Sequence, residues 1–185
     1  MMTCQLDKHL IERTILFHGH SCPGLAIGIR TAELAIQELK ITPDSSIVCV
    51  VETDMCAVDG IQFLTGCTYG KGNLVHKDFG KAGFTFFDRK ADKGFRAVFL
   101  DDAIKDLPDP DGLSGKDAKI FHIMAADIHD VFEVKAIALP PVRPARILES
   151  ITCQECGEKV MESRLRRFGG MDLCIPCFMG HEQKI

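Results

Sequence analysis

Residues 18–40 read HGHSCPGLAIGIRTAELAIQELK, a histidine- and cysteine-bearing loop that runs straight into an apolar helix. Leu25, Ile29, Ala32 and Ile36 recur at helical spacing and form one stripe, which sets Arg30, Glu33 and Lys40 on the outward side. Pro43 and Asp44 make a turn, and residues 46–53, SIVCVVET, are a short β-branched run that suits a buried strand.

Working outward, residues before the loop predict a first helix through Leu6, Leu10 and Thr14 or Phe17. Downstream, a short helix is expected between Met55 and Leu64, then a glycine-rich loop, TGCTYGKGN, at 65–73. FTFFDRK (84–90) and FRAVFLDD (95–102) read as strands separated by Asp92 and Gly94. A polar Pro/Asp/Gly stretch at 105–117 reads as a surface loop. DAKIFHIMAADIHD (117–130) has helical periodicity through Ile120, Ile123, Met124 and Ile128, and FEVKAIAL (132–139) returns to strand. The sum is an α+β core at 1–139, a mixed sheet of about four to six strands with packed helices.

A chain of 185 residues makes roughly one domain with room for a small appendix. At 46% hydrophobic and 26% charged it is a folded chain, not a disordered one. A net charge of −4 gives no whole-molecule reason to expect nucleic acid or an anionic membrane as partner. No run approaches the ~18 apolar residues of a membrane span, and Asp7 and Glu12 interrupt what would have to be the core of a secretory signal. The expected compartment is the cytoplasm, where thiols stay reduced. The odd count of nine cysteines also fits a complete disulfide framework poorly.

PPVRP opens a stiff connector at 140–149, and the finger at 150–185 is too short for a conventional core. Within it, Cys153-x2-Cys156 and Cys174-x2-Cys177 are separated by 17 residues, the spacing of a structural zinc module. Each pair turns tightly enough to offer two sulfurs to one ion, and four thiolates leave no open position for catalysis. Paired disulfides or a thioredoxin-like redox pair are the competing readings; the segment has little besides a metal to hold it together. A treble-clef or ribbon-like finger is expected. Arg164, Arg166 and Arg167 form a basic run on it, either a solvated face or a contact for RNA or an acidic partner.

His18, His20 and Cys22 stand at alternate positions, so in an extended loop their side chains point one way. Cys22 falls at the N-cap of the following helix with Pro23 at the first helical position, where the helix end favours a thiolate. Such a group binds a transition metal or presents a nucleophile beside a histidine. In ETDMCAVDGIQFLTGCTYGKGN (52–73), Cys56, Asp59, Gln62 and Cys67 sit around a short helix and Lys71 lies in the glycine-rich loop. That loop is not a P-loop: three residues separate its glycines and Gly72 follows the lysine. Cys49 reads as core and Cys4 as incidental.

HGHSCPGLAIGIR, DMCAVDGIQ…TGCTYGKGN and the terminal four-cysteine finger together resemble the FmdE family, over roughly residues 10 to 180. The family takes its name from one component of molybdenum or tungsten formylmethanofuran dehydrogenase. The resemblance implies an α+β core with an appended zinc domain, assembled as a homodimer, and an accessory or stand-alone component of that redox metabolism. At most it is an oxidoreductase-associated subunit, or a thiol- or metal-dependent enzyme. It carries over His18, His20, Cys22, Cys56, Cys67 and Lys71 as the lining of one cleft, with structural zinc in the finger and a second transition metal or a reactive thiolate in the cleft. The competing expectation is a non-enzymatic subunit whose finger docks a catalytic partner or nucleic acid, with the histidine–cysteine loop structural, a histidine satisfying backbone groups and Cys22 a buried small residue. CQECGEKVMESRLRRF (153–168) by itself resembles the zinc finger of bacterial DksA/TraR-type transcription regulators.

Overall fold

The computed structural model describes residues 3–110, 112–142 and 146–181. Its contacts divide the chain into two units, Met1–Pro144 and Ala145–Ile185. Residues 143–145 of the expected connector, and 182–185 of the expected finger, lie outside the described residues. Among the described residues no helix is long and apolar enough to cross a membrane.

The first unit runs α1 (Lys8–His18), α2 (Pro23–Leu39), β1 (Ile47–Val51), α3 (Ala57–Thr65), β2 (Leu74–His76), β3 (Gly83–Asp88), β4 (Lys93–Phe99), α4 (Asp102–Lys105), α5 (Gly115–Ala125), α6 (Ile128–Val131) and β5 (Phe132–Ile137). Its sheet is mixed, in the order β2-β1-β3-β4-β5; β1 and β2 are parallel and the other neighbours antiparallel. One face, built from Ile47, Cys49, Val51, Phe84, Phe86, Phe95, Ala97 and Phe99, joins the core that includes Leu25, Ile29 and Leu34 of α2. Phe86 and Phe95, opposite each other in register, stack at 5.6 Å.

The sequence placed Arg30 and Glu33 outside, and the structure corrects this: both are buried, 1% and 2% exposed, so α2 is enclosed on all sides from Leu25 to Ala35. Arg30 Nη1 pairs with Glu33 Oε2 at 2.5 Å, and Nη2 donates to the Ala126 carbonyl at 2.8 Å. Glu33 Oε1 accepts the Gln5 backbone N–H at 2.6 Å. Buried charges persist when paired and hydrogen-bonded in this way, a long-range arrangement that helical periodicity does not report. The same contact bears on the helix expected over 117–130. The helix breaks at Ala126, whose backbone is extended, and restarts where Asp127 caps the His129 N–H at 2.9 Å. In α1 the inward residues are Ile11, Thr14 and Ile15, while Phe17 is exposed.

Helices α2 and α3 meet backbone to backbone. A Cβ on Gly28 would lie 2.2 Å from the Ala57 carbonyl oxygen, and one on Gly60 would lie 3.1 Å from the Gly28 carbonyl carbon. Glycine is required at this crossing because nothing larger fits between the two chains. A Cβ on Gly24, one turn earlier, would lie 3.1 Å from the Cys56 Cβ, so Cys56 also sits against the start of α2.

On the sheet, Glu52 at the end of β1 takes a bidentate pair from Arg96 of β4, both contacts at 2.7 Å. The pair passes over Gly83 of β3, where a Cβ would lie 2.9 Å from each side chain. The guanidinium holds the Glu52 carboxyl below its ordinary value, against the opposing effect of burial.

Two measurements follow from these contacts. Gly28→Ala is expected to cost about 1–3 kcal/mol or more of unfolding free energy in urea, and wild-type stability would contradict the backbone contact. Glu52 has a depressed folded-state pKa, so its contribution is present above the ordinary glutamate range and is lost as pH falls through the folded value. Acid unfolding of Glu52→Gln is therefore expected to lose that component; an unchanged pH profile would contradict it.

Candidate metal centre and its cleft

His18 is the last residue of α1, and Gly19, at φ 94°, ends the helix with its N–H on the Ile15 carbonyl. This left-handed turn reverses the chain and brings His20 beside His18, their ring centroids 4.5 Å apart. Cys22 then caps α2, its Sγ accepting the Leu25 N–H at 3.3 Å, with Pro23 at the start of the helix. The three side chains converge, but through a helix end and a turn and not through an extended loop.

Cys56 stands at the N-cap of α3 and completes the group. One donor atom from each of His18, His20, Cys22 and Cys56 lies within 4.8 Å of the others. The distance from His18 Nε2 to Cys22 Sγ is 3.8 Å. An ion with bonds of about 2.0–2.3 Å holds tetrahedral nitrogen and sulfur donors roughly 3.6 Å apart, so this donor set fits a metal with small adjustments. Burial pushes the Cys56 thiol up, and its contact with Cys22 adds to the shift.

Asp59, one turn into α3, accepts from His18 Nδ1 at 2.7 Å. The carboxylate fixes the ring and leaves Nε2 facing the cluster, the arrangement by which outer residues orient metal-binding histidines. Gln62 Nε2 lies 3.5 Å from the other Asp59 oxygen. The sequence placed Asp59 in the neighbourhood but supplied no role for it, because the α1–α3 approach is not a local property.

The remaining two sequence candidates do not join the cluster. Cys67 is fully buried and its S–H donates to the Ile47 carbonyl at 3.7 Å; burial raises its pKa. Asn73 Nδ2 reaches the same carbonyl at 3.1 Å and Asn73 Oδ1 accepts the Thr68 N–H at 2.9 Å, so this loop is fastened to β1 from within. Lys71 is exposed on the loop. Neither residue lines the cleft that opens beside the donor cluster, which has a volume of about 410 Å³ and includes His18, Asp54, Cys56, Asp59, Gln62 and His76 in its wall. His76 was missed because β2, three residues long, is too short to show periodicity within a glycine-rich stretch.

The second unit is two hairpins and a helix: β6 (Ser150–Thr152) with β7 (Lys159–Met161), β8 (Arg166–Phe168) with β9 (Met171–Leu173), then α7 (Ile175–His181). Cys153 and Cys156 lie in the knuckle between β6 and β7, where Gly157 takes φ 77°. Cys174 follows β9 and Cys177 lies in α7, giving a treble-clef-like order of knuckle, hairpin and helix. The four sulfurs lie within 4.8 Å of one another, Cys156 and Cys174 at 3.9 Å, against the roughly 3.8 Å of a tetrahedral zinc thiolate. Hydrogen bonds from the backbone N–H groups of Cys174 and Cys156 draw the Cys153 thiol down to about 6. The neighbouring Cys174 thiol, with burial, pushes Cys177 up. The donor set fits structural zinc.

Two family models match the chain. One, described as FmdE, molybdenum formylmethanofuran dehydrogenase operon, covers residues 17–125; the other, a prokaryotic dksA/traR C4-type zinc finger, covers 146–183. A probable S-adenosyl-L-methionine-binding protein of Archaeoglobus fulgidus is 29% identical over 91% of this chain and 52% of its own length. The chain thus spans about half of that curated relative. The fold is shared with the crystal structure of a tungsten formylmethanofuran dehydrogenase FmdE-like protein from Syntrophus aciditrophicus, at a TM-score of 0.67 and 22% identity, covering 94% of this chain and 92% of that one.

Few side chains are buried among the described residues of the finger, the condition under which a small module needs a metal to fold. Cys174→Ser is expected to abolish zinc retention and amide protection across β6–β9 and leave protection in β1, β3 and β4. Retained zinc together with wild-type protection of the hairpins would contradict a structural four-thiolate site.

Proposed function

The chain belongs to the FmdE family, and from that premise we propose that it is a metal-binding accessory or stand-alone protein of molybdenum or tungsten redox metabolism. Its working centre is a second metal site, formed by His18, His20, Cys22 and Cys56 and separate from the finger zinc. The observation that carries the reading is the convergence of four donors from α1, the α1–α2 turn, α2 and α3, with Asp59 orienting one of them.

Two imidazoles and two sulfurs suit borderline and soft transition metals and disfavour magnesium or calcium. A metal held there supplies Lewis acidity and, if redox-active, an electron-transfer centre. The protein's own residues do the rest. Asp59 holds the proton of His18 at Nδ1, and the Leu25 N–H orients the Cys22 sulfur. The adjoining cleft admits a small molecule to the centre, within the size range of ligand pockets. With no metal bound, the same geometry sets the Cys22 sulfur 3.8 Å from His18 Nε2, a nucleophile beside a histidine, the second form of the reading. All nine cysteines are free thiols, which both clusters require and a reducing compartment maintains.

A docking role for the finger is the second reading, favoured by one observation. Among the described residues Arg164 and Arg166 have no acidic partner and hydrogen-bond only to immediate neighbours, whereas Arg167 pairs with Asp172 at 3.7 Å. Its partner would be a redox-enzyme component or nucleic acid.

Metal analysis of the purified protein is expected to find two equivalents per chain. Cys22→Ser and Cys56→Ser should each remove one and Cys153→Ser the other. A single equivalent that disappears with Cys153→Ser, and is untouched by Cys22→Ser, would overturn the second site.

A further inference from the structure

Of the five thiols of the core unit, Cys22 and Cys56 alone combine partial exposure with a place in one donor cluster; Cys4 is also half-buried but lies outside that cluster. Cys49 and Cys67 are fully buried, while Cys22 and Cys56 are half-buried beside an open cleft whose wall includes Cys56. Their sulfurs lie within 4.8 Å of each other. Both occupy helix N-caps, where a χ1 rotation swings Sγ without moving the helix. The helices that carry them are locked together by the Gly28–Ala57 contact, and the start of α2 rests on the Cys56 Cβ. The two thiols are in side-chain contact, so their sulfurs start within reach of a bond that χ1 rotation can close.

We propose that Cys22 and Cys56 form a reversible dithiol–disulfide couple that gates metal occupancy of the same site, under peroxide-class oxidants. The inference rests on the reading of these side chains as metal donors. In the oxidising direction one thiolate takes an oxygen from hydrogen peroxide, giving a sulfenic acid and hydroxide. The other sulfur attacks the sulfenic sulfur, an S–S bond forms and the hydroxyl leaves as water. In sum, two thiols and one peroxide give one disulfide and two waters, the two electrons passing from the sulfurs to the peroxide oxygens. The disulfide withdraws two of the four donors at once, leaving His18 and His20, a pair insufficient to retain the ion. A dithiol reductant returns both thiols and restores the site. A bound metal engages both sulfurs and keeps them from the oxidant, so occupancy and oxidation exclude each other.

The test uses the 185-residue chain with its finger zinc in place and the second site either free of metal or loaded with zinc. Each form is exposed to hydrogen peroxide and read by intact mass and by peptide mapping. The metal-free form is expected to lose two hydrogen atoms and to yield a peptide cross-link joining Cys22 to the segment that carries Cys56. Cys56→Ser abolishes the cross-link with Cys49 and Cys67 left reduced. The zinc-loaded form resists the reaction, and oxidised protein takes up no second equivalent until it is reduced. Single-cysteine oxidation without a Cys22–Cys56 bond in the metal-free form would overturn the couple. Equal cross-linking of loaded and metal-free protein would overturn the gating. The two readings fail separately: absence of a second metal equivalent in reduced protein sinks the metal site whatever peroxide does. A chain that binds the second metal and forms no cross-link sinks only the couple.

Discussion

The candidate centre depends on one close contact, that of Gly28 with Ala57 and Gly60, through which α2 and α3 cross with their backbones touching. Two helices separated by ordinary side chains sit 8–10 Å apart, too far for both N-caps to serve one ion. Removing the Cβ atoms draws the helices together and sets Cys22 and Cys56 at adjoining ends. The same approach places Asp59, one turn into α3, beneath the histidine that ends α1. The site is thus assembled from three helix ends whose spacing is decided inside the core.

The remainder of the unit serves that arrangement by holding α2 still. From Leu25 to Ala35 the helix is enclosed on every side, and its two buried charges are spent on each other and on backbone groups of the N-terminal segment and of the α5–α6 break. Glu52 and Arg96 fasten the strands across β3. The finger works by the opposite logic: among its described residues the buried ones are little more than Cys153, Leu173 and Cys174, and a four-thiolate site that fits zinc stands where a core would be.

What the sequence made legible were properties carried by short stretches. The four finger cysteines declare a metal module by spacing alone, because each pair needs only its own turn to become a bidentate unit. Strands β1, β3, β4 and β5 and helix α2 follow from local apolar patterns. The misplaced features are all products of distant contacts. Arg30 and Glu33 look solvent-facing until each is seen to have a buried partner. β2 is too short to show a pattern, and His76 was lost with it. Cys67 and Lys71 share a motif with Cys56, yet the end of α3 turns Cys67 back beneath β1. The grouping of His18, His20 and Cys22 was legible although its expected cause, an extended loop, was wrong: a helix end and a left-handed glycine produce the same convergence.

The central claim is that one chain holds two metal centres of different donor chemistry, and an anomalous-scattering map from crystals of the intact protein addresses it directly. The account predicts two peaks per chain. One lies among Cys153, Cys156, Cys174 and Cys177, and one lies among His18 Nε2, His20, Cys22 and Cys56, with Asp59 still bonded to His18. A single peak in the finger, with the Cys22 and Cys56 sulfurs reduced and bare, would contradict it.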